Sequence, residues 1–273
     1  MKKILTLCLL FTLFACGKEE IKVNTPTPTT NVNEQSPYDD CNGPCGNEHN
    51  SNRNFVYYEN GQRWLRGGNE RSMDFNVSNW ALEEQGLKYG IGRESFKALV
   101  NPHFIREEDY PRNIQPDETI VVLYGENEVK VYPLDLLNVH EVINDEIDGQ
   151  AVAVTYCPLA DFIAVYEREY CGATLTFALS GYTHYREGVR SGKDGFILWD
   201  RNTESLWWPL IDKGVSGEML DEVMTPYHPA KWEVTTYGQV VQSSDFVLLK
   251  PGQNIDFDGE WTSSLSQSVN CVE

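Results

Sequence analysis

The strongest constraint on this chain is a pair of turn dipeptides, Asn60-Gly61 and Asp148-Gly149, each set between runs of β-branched and aromatic residues. A two-residue type I′ hairpin turn needs positive φ at both central positions, which Asn, Asp and Gly adopt most cheaply. Phe55-Val56-Tyr57-Tyr58 and Arg63-Trp64-Leu65 flank the first turn. Thr119 to Tyr124 and Glu128 to Tyr132 alternate around Gly125-Glu126-Asn127 as a further hairpin, and Phe196 to Trp199 faces Leu206 to Trp208 across another turn. Helical spacing is confined to Trp80 to Leu87, a turn at Ser95 to Val100 and a turn at Pro133 to Asn138. Long helices alternating with strands are missing, which excludes Rossmann and TIM arrangements. The expected fold is mainly β, with α+β admissible: antiparallel hairpins and a meander with a few short helices, in a single domain over residues 54–273.

The segment before residue 54 has a different character. Lys2 and Lys3 precede an apolar run from Ile4 to Ala15, too short to span a bilayer and suited to a secretory signal over residues 1–15. Leu13-Phe14-Ala15-Cys16-Gly17 resembles a bacterial lipobox, which makes Cys16 the expected lipidation site and the membrane a partner through acyl chains. The expected location is the cell envelope, anchored at the outer membrane and facing either the periplasm or the surface. Residues 16–53 read as an Asn/Thr/Pro-rich tether, and within it Cys41-Asn42-Gly43-Pro44-Cys45 suits a local disulfide in an oxidising compartment. His49 follows, but no second Cys/His pair stands near to complete a metal site. The 41 acidic residues against 22 basic ones give a net charge of -19, which excludes nucleic acid held through its phosphates. Losing Lys2 and Lys3 with the signal takes the formal charge to -21.

The candidate chemistry centres on Cys157. Closing the hairpin at Asp148-Gly149 sets His140 directly across from Cys157, and such pairs share a face. Carrying the next hairpin, Phe162 to Arg168 against Ala173 to Ser180, around Tyr170-Cys171 points Cys157 at His184; closing it around Cys171-Gly172 points Cys157 at Arg186, with His184 one step along. Cys171 at that tip lies roughly 20 Å from Cys157, beyond disulfide reach. With Cys16 acylated, five thiols remain: Cys41 with Cys45, and Cys171 with Cys271, are the economical pairs, leaving Cys157 free.

A thiolate with two imidazoles suits copper or zinc, so Cys157, His140 and His184 form a candidate metal set. A histidine that lowers the thiol pKa instead makes Cys157 a nucleophile. The plain alternative is a buried, inert cysteine. Asp161 stands near as a further candidate ligand. Asp200-Arg201 and Glu204 flank a tight turn, where an ion pair holding the turn is favoured over catalysis. Trp199, Trp207 and Trp208 offer stacking faces for a glycan, although strand aromatics are more often core. Glu141, one residue from His140, points to the opposite face if both lie in a strand. Serine hydrolase, P-loop, zincin and c-type haem motifs do not occur in the sequence.

Tyr132-Pro133-Leu134, Asn138 to Asp145, Val154-Thr155-Tyr156-Cys157-Pro158-Leu159 and Trp199 to Trp207 together resemble domain-of-unknown-function family 3179, over about Gly92 to Pro229. That family's runs read Y-P-L-x-x-L-N-W-H-E-I-V-N-D, T-Y-C-P-L-C-G-S and Y-D-R-x-T-x-S-L-W. The resemblance carries no established activity, although its His-Glu and Cys-Pro-Leu-Cys runs imply a metal or redox site. This chain has Ala160 in place of the second cysteine, which removes Cys-x-x-Cys thiol–disulfide exchange. Tyr182 to Gly195, with His184, Arg186, Arg190 and Lys193, is longer than its family counterpart and is a basic loop on an acidic protein, an anion-facing lid or, as is more common for such loops, solvated surface. Three readings follow: a lipid-anchored copper- or zinc-binding protein, a cysteine-nucleophile enzyme, and a non-catalytic surface module for glycan or protein.

Overall fold

The computed structural model describes residues 55–242 and 245–253. Strands β1 (Val56–Glu59) and β2 (Gln62–Leu65) pair through the Asn60-Gly61 turn, with φ of 51° and 77° at the two residues, and β3 (Phe75–Asn76) joins β2. β4 (Leu87–Tyr89), β5 (Leu99–Val100) and β6 (Phe104–Ile105) are short pieces that each enter a different sheet. β7 (Thr119–Tyr124) and β8 (Val129–Pro133) form the expected hairpin and lead into helix α1 (Leu134–His140). β9 (Val142–Ile147), β10 (Gln150–Cys157) and β11 (Phe162–Glu167) are an antiparallel meander, followed by the two-residue arms β12 (Glu169–Tyr170) and β13 (Ala173–Thr174). β14 (Phe177–His184), β15 (Gly195–Asp200), β16 (Leu206–Trp208) and β17 (Lys213–Gly214) continue the chain. β18 (Trp232–Thr236), helix α2 (Tyr237–Val240) and β19 (Val247–Leu249) complete it.

Three sheets build the body in layers. The middle sheet, in the order β11-β10-β9-β5, buries both faces. Ala153, Cys157, Ala164 and Tyr166 point into a core shared with β14, β15 and β16. Val152, Val154, Ile143 and Val165, one step along each strand, meet Val121, Leu123 and Tyr132 of β7 and β8. Strand side chains alternate faces, so a strand covered on both sides must be apolar throughout, and Ala151-Val152-Ala153-Val154 is. One flanking sheet runs β17-β16-β15-β14-β4; the other runs β18-β7-β8-β19-β6, with α2 residues closing its far face. Two of the pairings, β5 with β9 and β8 with β19, are parallel.

The expected mainly β, largely antiparallel fold is the observed one, and four local expectations are corrected. Trp80 to Leu87 holds only a 3-10 turn at Glu84–Gly86, and Ser95 to Val100 ends in strand β5. Neither segment has enough hydrogen-bonded turns to stand as a helix on its own, and pairing to a sheet edge satisfies the backbone better. The turn near Pro133 becomes a two-turn helix that runs on through His140. β11 never pairs with β14: the strands separate after the β12–β13 tip, β11 staying on β10 and β14 crossing to the flanking sheet. Among the described residues no helix is long and apolar enough to cross a membrane.

Between the layers, buried polar side chains stand in for backbone. Asn144 on β9 donates to the carbonyls of Leu99 (3.1 Å) and Phe177 (2.8 Å) and accepts from the Phe177 amide (2.8 Å). Arg168 donates to the carbonyls of Val152, Leu175 and Asp145, closing the end of the meander.

Candidate functional site

β10 stops at Cys157 because Pro158 has no N–H to continue the ladder. The chain reverses through residues 158–161, with Asp161 at φ 48°, and returns as Phe162 directly opposite Cys157. This tight knuckle aims the amides of Leu159 and Ala160 at the thiol, and the Phe196 amide of β15 adds a third donor at 3.4 Å from Sγ. The sulfur thus accepts from the amide of a β15 residue, Phe196, that pairs with Thr183 of β14. Cys157 is 1% exposed, and among the described residues it is the free thiol. Burial pushes the thiol pKa up; the Phe196, Ala160 and Leu159 amides oppose that, and the charge on Glu141 adds to the rise.

Glu141 is the group that the strand reading of residues 140–145 misplaces. The ladder between β9 and β10 closes at Asp148-Gly149 in the expected register and runs one residue past the strand, with the Tyr156 amide donating to the Glu141 carbonyl at 2.9 Å. Glu141 itself ends α1 in the left-handed region, at φ 57°, with its amide donating to the Leu137 carbonyl. A glutamate seldom adopts this conformation. The left-handed φ takes Glu141 out of strand alternation, and its charge is among those that act on the Cys157 thiol. Burial pushes the Glu141 carboxyl up to about 7. Leu134, Leu137 and His140 at helical spacing are the signal in the sequence that α1 extends this far.

The expected histidines are held elsewhere. His140 is in the last turn of α1, not in the strand, and its Nδ1 donates to the Lys97 carbonyl at 2.7 Å. His184 is fully buried at the end of β14, donating from Nε2 to the Glu83 carbonyl at 3.0 Å and stacked edge-on against Trp208. Burial lowers its pKa and keeps the ring neutral, leaving Nδ1 a buried acceptor without a partner. The register that pointed Cys157 at His184 or Arg186 fails because β14 leaves the meander. Among the described residues no three His, Cys, Asp or Glu side chains are grouped as a metal ion requires, and Cys157, His140 and His184 form no such group.

The other sequence candidates are built into the framework. Asp161 is exposed, its Oδ1 reached by the Tyr156 hydroxyl at 3.5 Å. Asp200 is fully buried and accepts from Trp207 Nε1 (2.8 Å), the Thr203 amide (2.6 Å) and the Thr203 hydroxyl (2.7 Å). Arg201 does not pair with Asp200: it forms a two-pronged bridge to Glu94 at 2.8 and 2.7 Å. Glu204 faces Arg93 at 3.7 Å, and Arg93 lies over the Trp199 ring at 3.5 Å and the Phe75 ring at 4.5 Å. The tight turn is thus held to residues 93–94, a long-range link that local spacing could not show. Trp199, Trp207 and Trp208 are fully buried and offer no stacking face.

The basic stretch between β14 and β15 folds over the knuckle. Lys193 Nζ donates to the Ala160 carbonyl at 2.6 Å, and the Arg190 guanidinium lies 4.4 Å above the Phe162 ring. Arg186 reaches the Trp208 ring at 5.2 Å. Gly188, Arg190, Ser191 and Gly192 all have positive φ, and the two non-glycines add strain of about 1 kcal/mol or more each. Away from this site, an open cavity of ≈ 520 Å³ is lined by Asn101, Glu128, Lys130, Asp145 and Asp148, among others. At its floor Lys130 bonds both Asp145 oxygens at 3.1 Å and the Tyr132 hydroxyl donates to Asp145 at 2.6 Å, so those charges are already matched.

Cys171 is disulfide-bonded, with a partner beyond the described residues. The signal, Cys16, the tether, Cys41-Cys45 with His49, and Cys271 also lie outside the described residues.

No curated protein and no solved structure matches the chain. A family model described as a protein of unknown function, DUF3179, matches residues 93–258, more than half of the chain and further towards the C-terminus than the motifs alone reach. The match takes in α1, the meander, the Cys157 knuckle and the Asp200 turn, and on that extent the chain belongs to the DUF3179 family.

Proposed function

We propose that this chain is a lipid-anchored protein of the cell envelope, tethered through Cys16, whose working group is the Cys157 thiol, used as a nucleophile with Glu141 as its proton acceptor. One observation carries the reading: three amides converge on Sγ, and Glu141, whose charge acts on that thiol, has a carboxyl pushed by burial up to about 7, which suits proton exchange at neutral pH. The amides would stabilise the developing thiolate, while the buried carboxylate takes its proton. His140, fixed by Lys97, terminates the helix that presents Glu141. Cys-x-x-Cys dithiol exchange is not open to a knuckle that carries Ala160 at the second position.

The rate of Cys157 alkylation by iodoacetamide, followed by mass spectrometry of the Cys157 peptide, tests this. We expect the rate to climb as pH rises through about 7, and to lose that step in Glu141→Gln. A thiol that stays unreactive in the folded protein until pH exceeds ordinary thiol values would sink the reading.

Copper or zinc on the same sulfur is the second reading, favoured by the amide donors, which steady a thiolate ligand as well as a thiolate nucleophile. Elemental analysis of protein grown with both metals decides it: bound metal lost in Cys157→Ser would establish that role.

A further inference from the structure

We propose that His184 is an acid-sensitive latch: neutral, it holds the end of β14 to the 3-10 turn at Glu84–Gly86, and protonated it releases that turn together with the β14–β15 loop. The proposal stands apart from the thiol reading. Three hydrogen bonds tie the two segments together. His184 Nε2 donates to the Glu83 carbonyl at 3.0 Å, the Tyr185 amide to the Gly86 carbonyl at 2.9 Å, and Arg186 Nη2 to the Ala81 carbonyl at 3.3 Å. The approach is so close that a Cβ on Gly86 would come within 2.1 Å of the Tyr185 carbonyl oxygen and 2.7 Å of His184 Nε2. This fit accepts a neutral ring. His184 is fully buried and its Nδ1 has no hydrogen-bond partner, so a second proton would bury both a charge and an unmatched donor.

The surrounding charges do not neutralise that proton. Arg186 adds a like charge, and its guanidinium already lies 5.2 Å from the Trp208 ring that His184 meets edge-on. Among the acids, Glu83 and Glu187 are exposed, Glu84 is bridged to Arg63, and Asp194 is held by Lys88 of β4 at 2.8 Å. Burial lowers the His184 pKa; the Arg186 charge adds to that, while the bond to the Glu83 carbonyl and the charges of Glu83 and Asp194 oppose it. Once the latch opens, the ring takes up a proton at the ordinary histidine value of about 6.5. The latch is therefore closed most firmly above that value and weakens as pH falls below it. The loop it frees is the one whose Lys193 and Arg190 rest on the Cys157 knuckle.

Hydrogen–deuterium exchange of the detergent-solubilised full chain, read by mass spectrometry and corrected for the intrinsic pH dependence of exchange, tests this. One proton gained on opening shifts the equilibrium by up to tenfold per pH unit, so protection of the Tyr185 amide should fall about tenfold between about pH 7.5 and 5.5. Protection of β10 in the middle sheet should not fall with it. In His184→Gln, whose side-chain amide can still donate to the Glu83 carbonyl, the dependence should vanish. A Tyr185 amide indifferent to pH overturns the proposal, as does the same fall in His184→Gln or a parallel fall in β10. If that variant does not fold, the ring C–H signals of His184 in the unaltered chain decide by NMR: titration below the ordinary histidine value supports the latch, and titration at or above it overturns the latch.

Discussion

Replacing Asn144 with alanine tests whether the layers are joined by side-chain mimicry of backbone. The amide of Asn144 gives two hydrogen bonds and accepts one, all at 3.1 Å or less, and both Asn144 and Phe177 are fully buried. Alanine takes away the partner of the Phe177 amide and carbonyl and of the Leu99 carbonyl. A buried group left without its partner costs about 1–3 kcal/mol. Carbonyls tolerate a lost bond better than amides, so the sum is set by Phe177 N–H and stands at about 3–4 kcal/mol. For a domain of this size, with total stability of about 5–15 kcal/mol, that lowers Tm by roughly 6–16 °C. Urea titration of a soluble form lacking residues 1–16, followed by tryptophan fluorescence, measures it, since Trp199, Trp207 and Trp208 lie in the adjoining core. The midpoint should fall with the slope unchanged. A loss under about 1 kcal/mol would refute the reasoning, because water or a backbone shift would then satisfy Phe177 as well as Asn144 does.

Trp207→Phe removes the indole donor to buried Asp200 and should cost about 1–3 kcal/mol in the same titration, whereas an unchanged midpoint would show that Thr203 alone satisfies the carboxylate. Because burial raises the Glu141 pKa from its ordinary value to about 7, the folded state holds a proton that the unfolded state has released. Its contribution to stability is complete below the ordinary carboxyl range and fades as pH rises to about 7; Glu141→Gln should flatten that part of the stability–pH curve, and an unaltered slope would remove Glu141 from the account. The count of spare thiols points to Cys271 as the partner of Cys171, and non-reducing peptide mapping should recover the two linked; a link to Cys41 or Cys45 would contradict it. Gly181 has φ 82°, and a Cβ there would come within 2.2 Å of the Gly92 backbone. Gly181→Ala should therefore lower soluble yield sharply, and a well-folded alanine variant would show that β14 and the Gly92 backbone can separate there.

Local chemistry in the sequence is enough for the hairpins. Asn60-Gly61, Asp148-Gly149 and Cys171-Gly172 all adopt the paired positive φ that their turns require, and the first two set the register of whole strands. Cys157 is likewise legible as the odd thiol. What cannot be read locally is where strands go after their turns. The β12–β13 tip says nothing about β14, whose choice of β15 and β4 depends on burying Phe177, Leu179 and Tyr182 against three tryptophans from later in the chain. In that sheet His184 is held by the Glu83 carbonyl and the Trp208 ring. The last turn of α1 is hidden for a related reason: Val139-His140-Glu141-Val142 alternates like a strand, and the capping of Leu137 by Glu141 decides otherwise. Glu141 therefore escapes a local reading although it stands one residue from His140. The bridges Arg93–Glu204 and Arg201–Glu94 span about a hundred residues, and no spacing rule reaches that far.

The parallel pairing of β19 with β8 fixes the order in which the molecule can be completed. Val247 and Leu248 lie beside Lys130 and Val131, more than a hundred residues earlier, while the β9–β10–β11 meander joins only near neighbours. Loop-closure entropy favours the meander as the first piece to form and the β19 contact as one of the last. Until Leu249 is in place, Leu123, Tyr132 and Val131 lack part of their cover, so a chain threaded from its N-terminus stays unsealed almost to its end. A truncation before Val247 should therefore yield a sticky, protease-sensitive product even though it retains Cys157, Glu141 and every residue of the middle sheet.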